Sequence, residues 1–340
     1  MKTYSTYFLW PSVFAAAGLA GAYVLGTHAT GEEAGGVSFV IIGAVLAVLE
    51  VSLSFDNAIV NANRLKTMDP VWQGRFLTWG ILIAVFGMRI LFPLAVVAIA
   101  AGIGPGDALA VAVARPHLYG YLMHEARLPI SAFGGFFLMM VALRYFIDRE
   151  KNVDWFRWAE KQMRGWSGIH GIELAIGLAV VVLFRLLLPD EKADVFAFAA
   201  VCGMLVFLLV EFLGRLLDGL GSGALTGGIG AFLYLEVLDA SFSFDGVIGA
   251  FALTHNLFLI AIGLGIGALF VRAMTMMLVE RETLAEFRYL EHGAFYAILV
   301  LSVMMFAQTV THVPEPVIGL IGAALILMAL VHSVVERRRS

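Results

Sequence analysis

Long apolar runs, separated by short polar segments, occupy nearly the whole sequence. Runs of about 20 apolar residues can cross the roughly 30 Å hydrocarbon core of a bilayer as α-helices. We therefore expect an all-α, polytopic membrane helix bundle that forms one integral membrane domain over residues 1–340. The predicted spans, about ten in number, cover residues 8–26, 37–60, 77–101, 130–147, 170–188, 194–214, 226–253, 256–279, 293–312 and 316–335.

A short stretch that contains acids and serines occurs twice inside these runs, at residues 50–59 and 239–248. The copies align without a gap, and the paired positions are Glu50 with Asp239, Ser54 with Ser243, and Asp56 with Asp245. An acid near the centre of a membrane helix costs about 2.5–3.5 kcal/mol on insertion scales. Four acids in such positions therefore indicate a functional or structural role.

The two copies lie on spans that run in opposite directions, because the second span and the seventh are an odd number of crossings apart. Residues 80–89 and 263–272 also match at identical spacing. We therefore predict an inverted-topology repeat of spans two to four and seven to nine, over about residues 37–147 and 226–312. Transporters with such repeats hold their substrate near the bilayer midplane, between the repeats.

The loop charges predict the orientation, because cytoplasmic loops carry an excess of lysine and arginine. Most loop Lys and Arg residues fall on one side, whereas Arg115, Arg127 and Lys192 fall on the other. We expect a multi-pass protein of the cell (inner) membrane with both termini in the cytoplasm. The cytoplasmic stretch 148–168 mixes charges with tryptophans, which fits either an amphipathic interfacial helix or a solvated loop with aromatic anchors.

The composition agrees with a membrane protein, since 61% of residues are hydrophobic and only 14% are charged. Soluble domains are typically about 45–50% apolar and about 25% charged. The net charge of −4 and the scattered basic residues give no footprint for nucleic acid. Cys202 is the only cysteine, which excludes an internal disulfide and a thiolate metal cluster.

The polar side chains of the repeated motif are hard oxygen donors, which suit manganese, calcium or magnesium rather than zinc or copper. The candidate metal ligands are Glu50, Ser54, Asp56, Asn57, Asp239, Ser243 and Asp245. Arg89 and Arg272 lie deep in their spans and are candidates for charge compensation. Two arginines and four ionised acids leave a charge of −2, which one divalent cation would match. The structural alternative is that two acids pair with the arginines while the others are protonated, and the cluster joins helices.

Local geometry leaves a choice open for the first copy. Glu50 and Asp56 would point about 120° apart on one ideal helix, so one continuous helix would not aim both at one ion. Either the two acids meet different partners, or the helices are interrupted near Asn57 and Gly246, residue types that tolerate non-helical dihedrals. Glu291 and His292 precede span nine and are candidates for a gate or ion entrance, against a solvated helix start.

The motif resembles that of a known family. Glu50-x-x-Leu53-Ser54-x-Asp56-Asn57 and Asp239-x-x-Phe242-Ser243-x-Asp245-Gly246 look like the paired signatures of the TerC membrane proteins, the tellurite-resistance-associated family that includes Alx-type manganese exporters. Residues 290–298 resemble a third stretch from an uncharacterised branch of that family.

The resemblance implies a transporter that exports manganese or another divalent cation. By that resemblance the ion-binding positions are Glu50, Asp56, Asn57, Asp239 and Asp245. Two departures concern the identity of the ion: Gly246 stands where typical members carry serine, and the chain has additional spans.

Two classes of function follow as expectations. The first is a divalent-cation transporter, most simply a manganese exporter that works by alternating access, with no permanently bound cofactor. The second is a non-transporting subunit that anchors cytoplasmic stress or tellurite-resistance proteins through residues 148–168 and the arginine-rich tail. An enzyme is not expected, because no recognisable nucleophile and base pair is present. The sequence leaves open the cation, the direction, the coupling ion and the oligomeric state.

Overall fold

The chain folds as a bundle of α-helices, in keeping with its apolar runs. The structure, a computed structural model, describes residues 4–149, 151, 153–220, 228–281, 286–311 and 313–338, and none of these lies in a β-strand. The helices are α1 (Tyr4–Thr30), α2 (Glu33–Leu53), α3 (Phe55–Leu65), α4 (Pro70–Leu82), a π-helical segment (Ile83–Leu91), α5 (Phe92–Ala101), α6 (Pro105–Ala114), α7 (Pro116–Glu125), α8 (Arg127–Ile147), α9 (Arg157–Gly165), a 3₁₀ turn (Trp166–Gly168), α10 (Ile172–Leu187), α11 (Asp190–Leu220), α12 (Ile229–Leu253), α13 (Leu257–Glu280), α14 (Leu290–Val310) and α15 (Glu315–Arg337).

Within the described residues, eight helical segments are long and apolar enough to cross a bilayer, and one of them combines α4, the π-helical segment and α5. By length and composition the chain is therefore a multi-pass membrane protein. The remaining two predicted spans correspond to α10 and α12. The α10 helix has only 16 residues, and α12 has 25 residues but carries three acids. The count of ten therefore stays a prediction, as does the inverted repeat.

The most enclosed helix is α8, which packs against α11, α12 and α14. Residues 136–143 of α8 are all no more than 4% exposed. A helix that is apolar on every side and surrounded by other helices belongs to the interior of a bundle. The α8 helix therefore forms the interior of the group of helices that contains α10, α11, α12 and α14.

The α13 helix approaches α2 closely through two glycines at G-x-x-x-G spacing, Gly263 and Gly267. A methyl group at Gly263 would lie 2.9 Å from the carbonyl oxygen of Gly43, and one at Gly267 would lie 2.9 Å from that of Ala47. Small residues let membrane helices pack backbone to backbone. This contact fixes the position of Glu50, which stands at the end of α2 beside α13.

The predicted interfacial helix over 148–168 is present only in part, as α9 and the 3₁₀ turn. The axis of residues 157–168 makes an angle of 112° with α10, so the chain turns sharply before the next apolar helix. Gly171 occupies the turn with φ 75°, a conformation that glycine adopts without strain. Trp158 is 81% exposed on α9, as expected for an aromatic side chain at a membrane interface.

Candidate functional site

The first copy of the repeated motif is broken at Ser54, where α2 ends and α3 begins. Ser54 has φ −104° and ψ 16°, yet its amide still donates to the Glu50 carbonyl at 2.9 Å. The break leaves Glu50 near the end of α2 and Asp56 in the first turn of α3. An acid is favoured there by the helix dipole, and the Asn57 amide donates to Oδ1 of Asp56 at 2.9 Å.

Of the two alternatives left open by the sequence, interruption near Gly246 does not occur in the second copy. The α12 helix continues through this position from Ile229 to Leu253. A methyl group at Gly246 would lie 2.9 Å from Oε2 of Glu50. The glycine therefore allows close approach to Glu50 rather than a break, and in the first copy the break lies at Ser54 rather than at Asn57.

Glu50 forms a buried ion pair with Arg89, and both side chains are 3% exposed. The Ser54 hydroxyl also donates to Oε1 of Glu50 at 3.2 Å. Arg89 lies in the π-helical segment just before Pro93, which has no amide hydrogen to continue the helical bonding. A second nitrogen of Arg89 donates to the Ala84 carbonyl, so the guanidinium is held between its own helix and α2.

Asp239 of α12 has a comparable environment. Nη2 of Arg272 lies 3.4 Å from its Oδ2 atom, and the Asn57 side-chain amide donates to its Oδ1 atom. The guanidinium of Arg272 also stacks on Phe76, with 3.8 Å from Cζ to the ring centroid. Residues from α3, α4, α12 and α13 thus meet at Asp239, all of them far apart in sequence.

A small cavity of about 10 Å³ lies between the two ion pairs, which is room for a single water-sized particle. Its polar lining consists of Glu50, Ser54, Asn57, Asn61, Arg89, Asp239, Arg272 and Thr275. Oδ1 of Asn57 and Oδ1 of Asn61 are buried there and have no hydrogen-bond partner. Buried polar atoms normally have a hydrogen-bond partner. These two oxygens could therefore bind a cation or accept a hydrogen bond from a ligand.

A second cavity, of about 40 Å³, lies on the other side of Glu50. Asp56 lines it together with Glu50, Ser54 and Gly246, and its remaining walls are mostly apolar residues of α14 and α15. Glu50 and Ser54 line both cavities. The break in the first copy therefore allows Glu50 and Asp56 to face a common space despite their spacing in sequence.

Two further predicted metal ligands, Ser243 and Asp245, lie on α12. Ser243 is buried on α12 at 4% exposure but lines neither of the two cavities. The backbone of Asp245 belongs to α12, whereas its side chain lies outside the described part of the structure. Across the described ranges, no three His, Cys, Asp or Glu side chains are grouped so as to hold a metal ion.

Sequence reasoning missed Glu236, one turn before Asp239 on α12. It is 8% exposed, and both of its carboxylate oxygens are buried without a hydrogen-bond partner. An acid inside an apolar run was a detectable signal, but this one has no acidic counterpart in the first copy, where Ala47 stands at the matching position. Asn61, one turn after Asn57 on α3, also belongs to the cavity lining.

The two gate candidates lie in a separate polar cluster at the start of α14. Glu291 accepts from the Asn63 side chain at 2.6 Å, and Nε2 of His292 lies 2.8 Å from the Val153 carbonyl oxygen. The centre of this cluster is Glu160 of α9, which is completely buried and pairs with Lys151. The Tyr296 hydroxyl donates to Glu160 at 3.1 Å, so the segment before α9 is tied to α14.

A wider vestibule of about 360 Å³ opens at the predicted cytoplasmic ends of α3, α8, α11 and α12. Arg64, Arg144, Asp148 and Glu211 supply its charged lining, and Arg144 pairs with Glu211 at 2.5 Å. Val60 also lines it, one helical turn after the cavity residue Asn57. The α3 helix therefore connects the vestibule with the buried charges.

The helices and the buried charges define a polytopic α-helical membrane protein with a polar cluster in its interior. The chain belongs to the DUF475 family, described as "Protein of unknown function (DUF475)", whose model matches residues 55–340. No curated protein and no solved structure matches the chain.

Proposed function

We propose that this protein transports divalent metal cations across the membrane, with manganese as the favoured cargo and calcium or magnesium as alternatives. The observation that carries the proposal is the pair of unpartnered amide oxygens, from Asn57 and Asn61, in one cavity with the carboxylates of Glu50 and Asp239. Amide and carboxylate oxygens are the donors that these hard cations prefer. The described geometry is then a resting arrangement in which Arg89 neutralises Glu50 and Arg272 neutralises Asp239.

The charge of the cluster supports a cation as the cargo rather than an anion. Among the described residues the cluster contains four buried acids, Glu50, Asp56, Glu236 and Asp239, and Arg89 and Arg272 offset only two of them. A bound divalent cation would restore neutrality, whereas an oxyanion such as tellurite would add to the excess negative charge. Uncompensated charge inside a membrane is costly. A cation that neutralises the excess acids would therefore bind favourably.

We also propose that the two motif copies belong to an inverted repeat and that transport proceeds by alternating access. The contacts at the site are reciprocal, which supports this view. Asn57 of the first copy donates to Asp239 of the second, and Gly246, the counterpart of Asn57, packs on Glu50 of the first copy. Such mutual contact is what two repeats that share one midplane site would make.

On this proposal the protein exports its cation from the cytoplasm through the vestibule and is related to the TerC family. Location in the cell membrane with cytoplasmic termini, the lipid bilayer as its surroundings and any cytoplasmic stress-protein partner are part of the same set of hypotheses. The vestibule lies at the predicted cytoplasmic ends of four helices, which supports its proposed role as the entrance for cations from the cytoplasm.

Flux of manganese into proteoliposomes that contain a manganese-sensitive dye tests the proposal. We expect flux with the wild-type protein and its loss with Asp239→Asn, because the cavity then lacks one of its two carboxylates. Asp107→Asn, at an exposed position of α6, is the matched control and should transport like the wild type.

Equal flux with the wild type and Asp239→Asn would refute the assigned site. If the wild type moves no divalent cation at all, transport itself is refuted. The anchoring function would then gain support if deletion of residues 148–168 abolished recovery of cytoplasmic stress proteins while Asp239→Asn left it unchanged.

A further inference from the structure

Glu236 and Arg272 carry complementary unsatisfied groups. Both oxygens of Glu236 lack a donor, and Nη1 of Arg272 is buried without an acceptor. Burial of an unpaired polar group costs free energy, so a protein that leaves both groups unpaired in one conformation has a reason to pair them in another.

Both groups lie close to the same point on α4, the Cβ position of Gly80. A methyl group at Gly80 would be 2.6 Å from Oε1 of Glu236 and 3.1 Å from Nη2 of Arg272. Within the described residues the charged neighbours of Glu236 are Arg272 on α13 and Asp239 on its own helix. Arg272 therefore lies within reach of two acids, and it pairs at 3.4 Å with only Asp239.

We propose that Arg272 exchanges partners during transport: it pairs with Asp239 when no cation is bound, and with Glu236 when a divalent cation binds Asp239. This inference rests on the proposed function. Glu236 is then a positioning residue, since it receives the displaced arginine and does not contact the cation. The absence of a side chain at Gly80 leaves the space in which the two groups meet.

The exchange explains how a cation could bind Asp239 although Arg272 already pairs with this carboxylate. A cation and a guanidinium repel each other when they share one carboxylate, and a guanidinium displaced into an apolar region would be an unpaired buried charge. Glu236 gives Arg272 a place where its charge is still matched. The first copy has no such second acid, because Ala47 stands where Glu236 stands in the second.

Binding of Mn²⁺ to the purified full-length protein, measured by calorimetry and by the loss of the free-ion spin resonance signal, tests the exchange. We expect Glu236→Gln to lower the affinity for Mn²⁺ about tenfold or more, the effect of a charged hydrogen bond that is no longer formed. We also expect Glu236→Gln to change the affinity less than about twofold in an Arg272→Gln background, because no arginine then needs a new partner.

Gly80→Ala provides a second variant that retains every charge. Its methyl group would occupy the space between Glu236 and Arg272, so it should lower the affinity for Mn²⁺ as Glu236→Gln does. Gly74→Ala is the matched control on the same helix, since its methyl group would meet nothing within 4 Å. This pair remains informative if Arg272→Gln does not fold.

The outcomes separate the two proposals. If wild-type protein binds Mn²⁺ and Asp239→Asn does not, but Glu236→Gln and Gly80→Ala bind as the wild type does, the exchange is refuted and the transport site is not. An equal loss from Glu236→Gln with and without Arg272 would also refute the exchange, since it would mean simple attraction between Glu236 and the cation. If wild-type protein binds no divalent cation, both proposals fail.

Discussion

Replacement of Arg89 by glutamine would leave Glu50 as a buried acid without a counter-charge. Both partners are 3% exposed, so bulk solvent cannot compensate the charge that remains on Glu50. Removal of one partner from a buried ion pair costs about 3–5 kcal/mol. The Ser54 hydroxyl keeps its hydrogen bond to Glu50 and places Arg89→Gln at the lower end, about 3 kcal/mol.

The assay is the free energy of unfolding in mixed micelles, measured for single and double variants. Glu50→Gln combined with Arg89→Gln removes both charges and should recover most of the loss, to within about 1 kcal/mol of the wild type, because neutral groups of similar volume often replace a buried pair at little cost. The surface pair Arg185–Asp194, at 42% and 83% exposure, is the control, and Arg185→Gln should cost less than about 1 kcal/mol.

The reasoning is refuted if Arg89→Gln costs no more than Arg185→Gln, or if the double variant is no more stable than Arg89→Gln alone. Stability and transport should also separate in these variants. The double variant is expected to be folded but inactive in manganese flux, because it lacks one of the two carboxylates of the central cavity.

Other predictions concern the packing around the site. Gly267→Val should cost at least about 2 kcal/mol of unfolding free energy, because the added atoms would press on the α2 backbone, whereas Gly74→Ala in open space should be nearly neutral. Asn61→Leu should lower the affinity for Mn²⁺ about tenfold without loss of the fold, since it removes an oxygen from the cavity; unchanged binding would exclude Asn61 as a ligand. Glu160→Gln should speed amide hydrogen exchange in residues 153–165, since Glu160 accepts from two amides there and from α14, and unchanged exchange would show that this cluster does not hold the segment.

Most of the membrane helices could be predicted, because an apolar run must have a minimum length to cross the hydrocarbon core of a bilayer as a helix. The α10 and α12 helices were harder to assign. The first is short, and the second contains the acids that form the site. Membrane helices that carry functional acids are often less apolar than other spans for this reason. The α12 helix contributes Asp239 to the site, and its acids make it difficult to identify as a span from hydropathy alone.

The sequence could indicate that Arg89 and Arg272 lie among acids, but it could not indicate which acid each would meet. That choice depends on the close approach of α13 to α2 through Gly263 and Gly267, which is a tertiary contact. The position of the helix break was also hidden. Serine is a common N-cap residue, yet Ser243, the counterpart of Ser54, lies inside the continuous α12 helix. Glu236 could not be found from the repeated motif, because its counterpart in the first copy is Ala47.

The two ion pairs are not equivalent, and the difference bears on the order of events in a transport cycle. Arg89 pairs with Glu50 and also donates to a backbone carbonyl of its own helix. Arg272 pairs with Asp239 at 3.4 Å and has a second acid, Glu236, beside it. Disruption of one buried pair costs about 3–5 kcal/mol, and disruption of both costs about twice that. On the proposed function, binding that displaces a single arginine is therefore favoured, and Arg272 is the one whose displacement costs less, because Glu236 lies beside it. We expect a cation to bind first at the α12 side of the cavity, with Glu50 and Arg89 as the fixed side against which the other half moves.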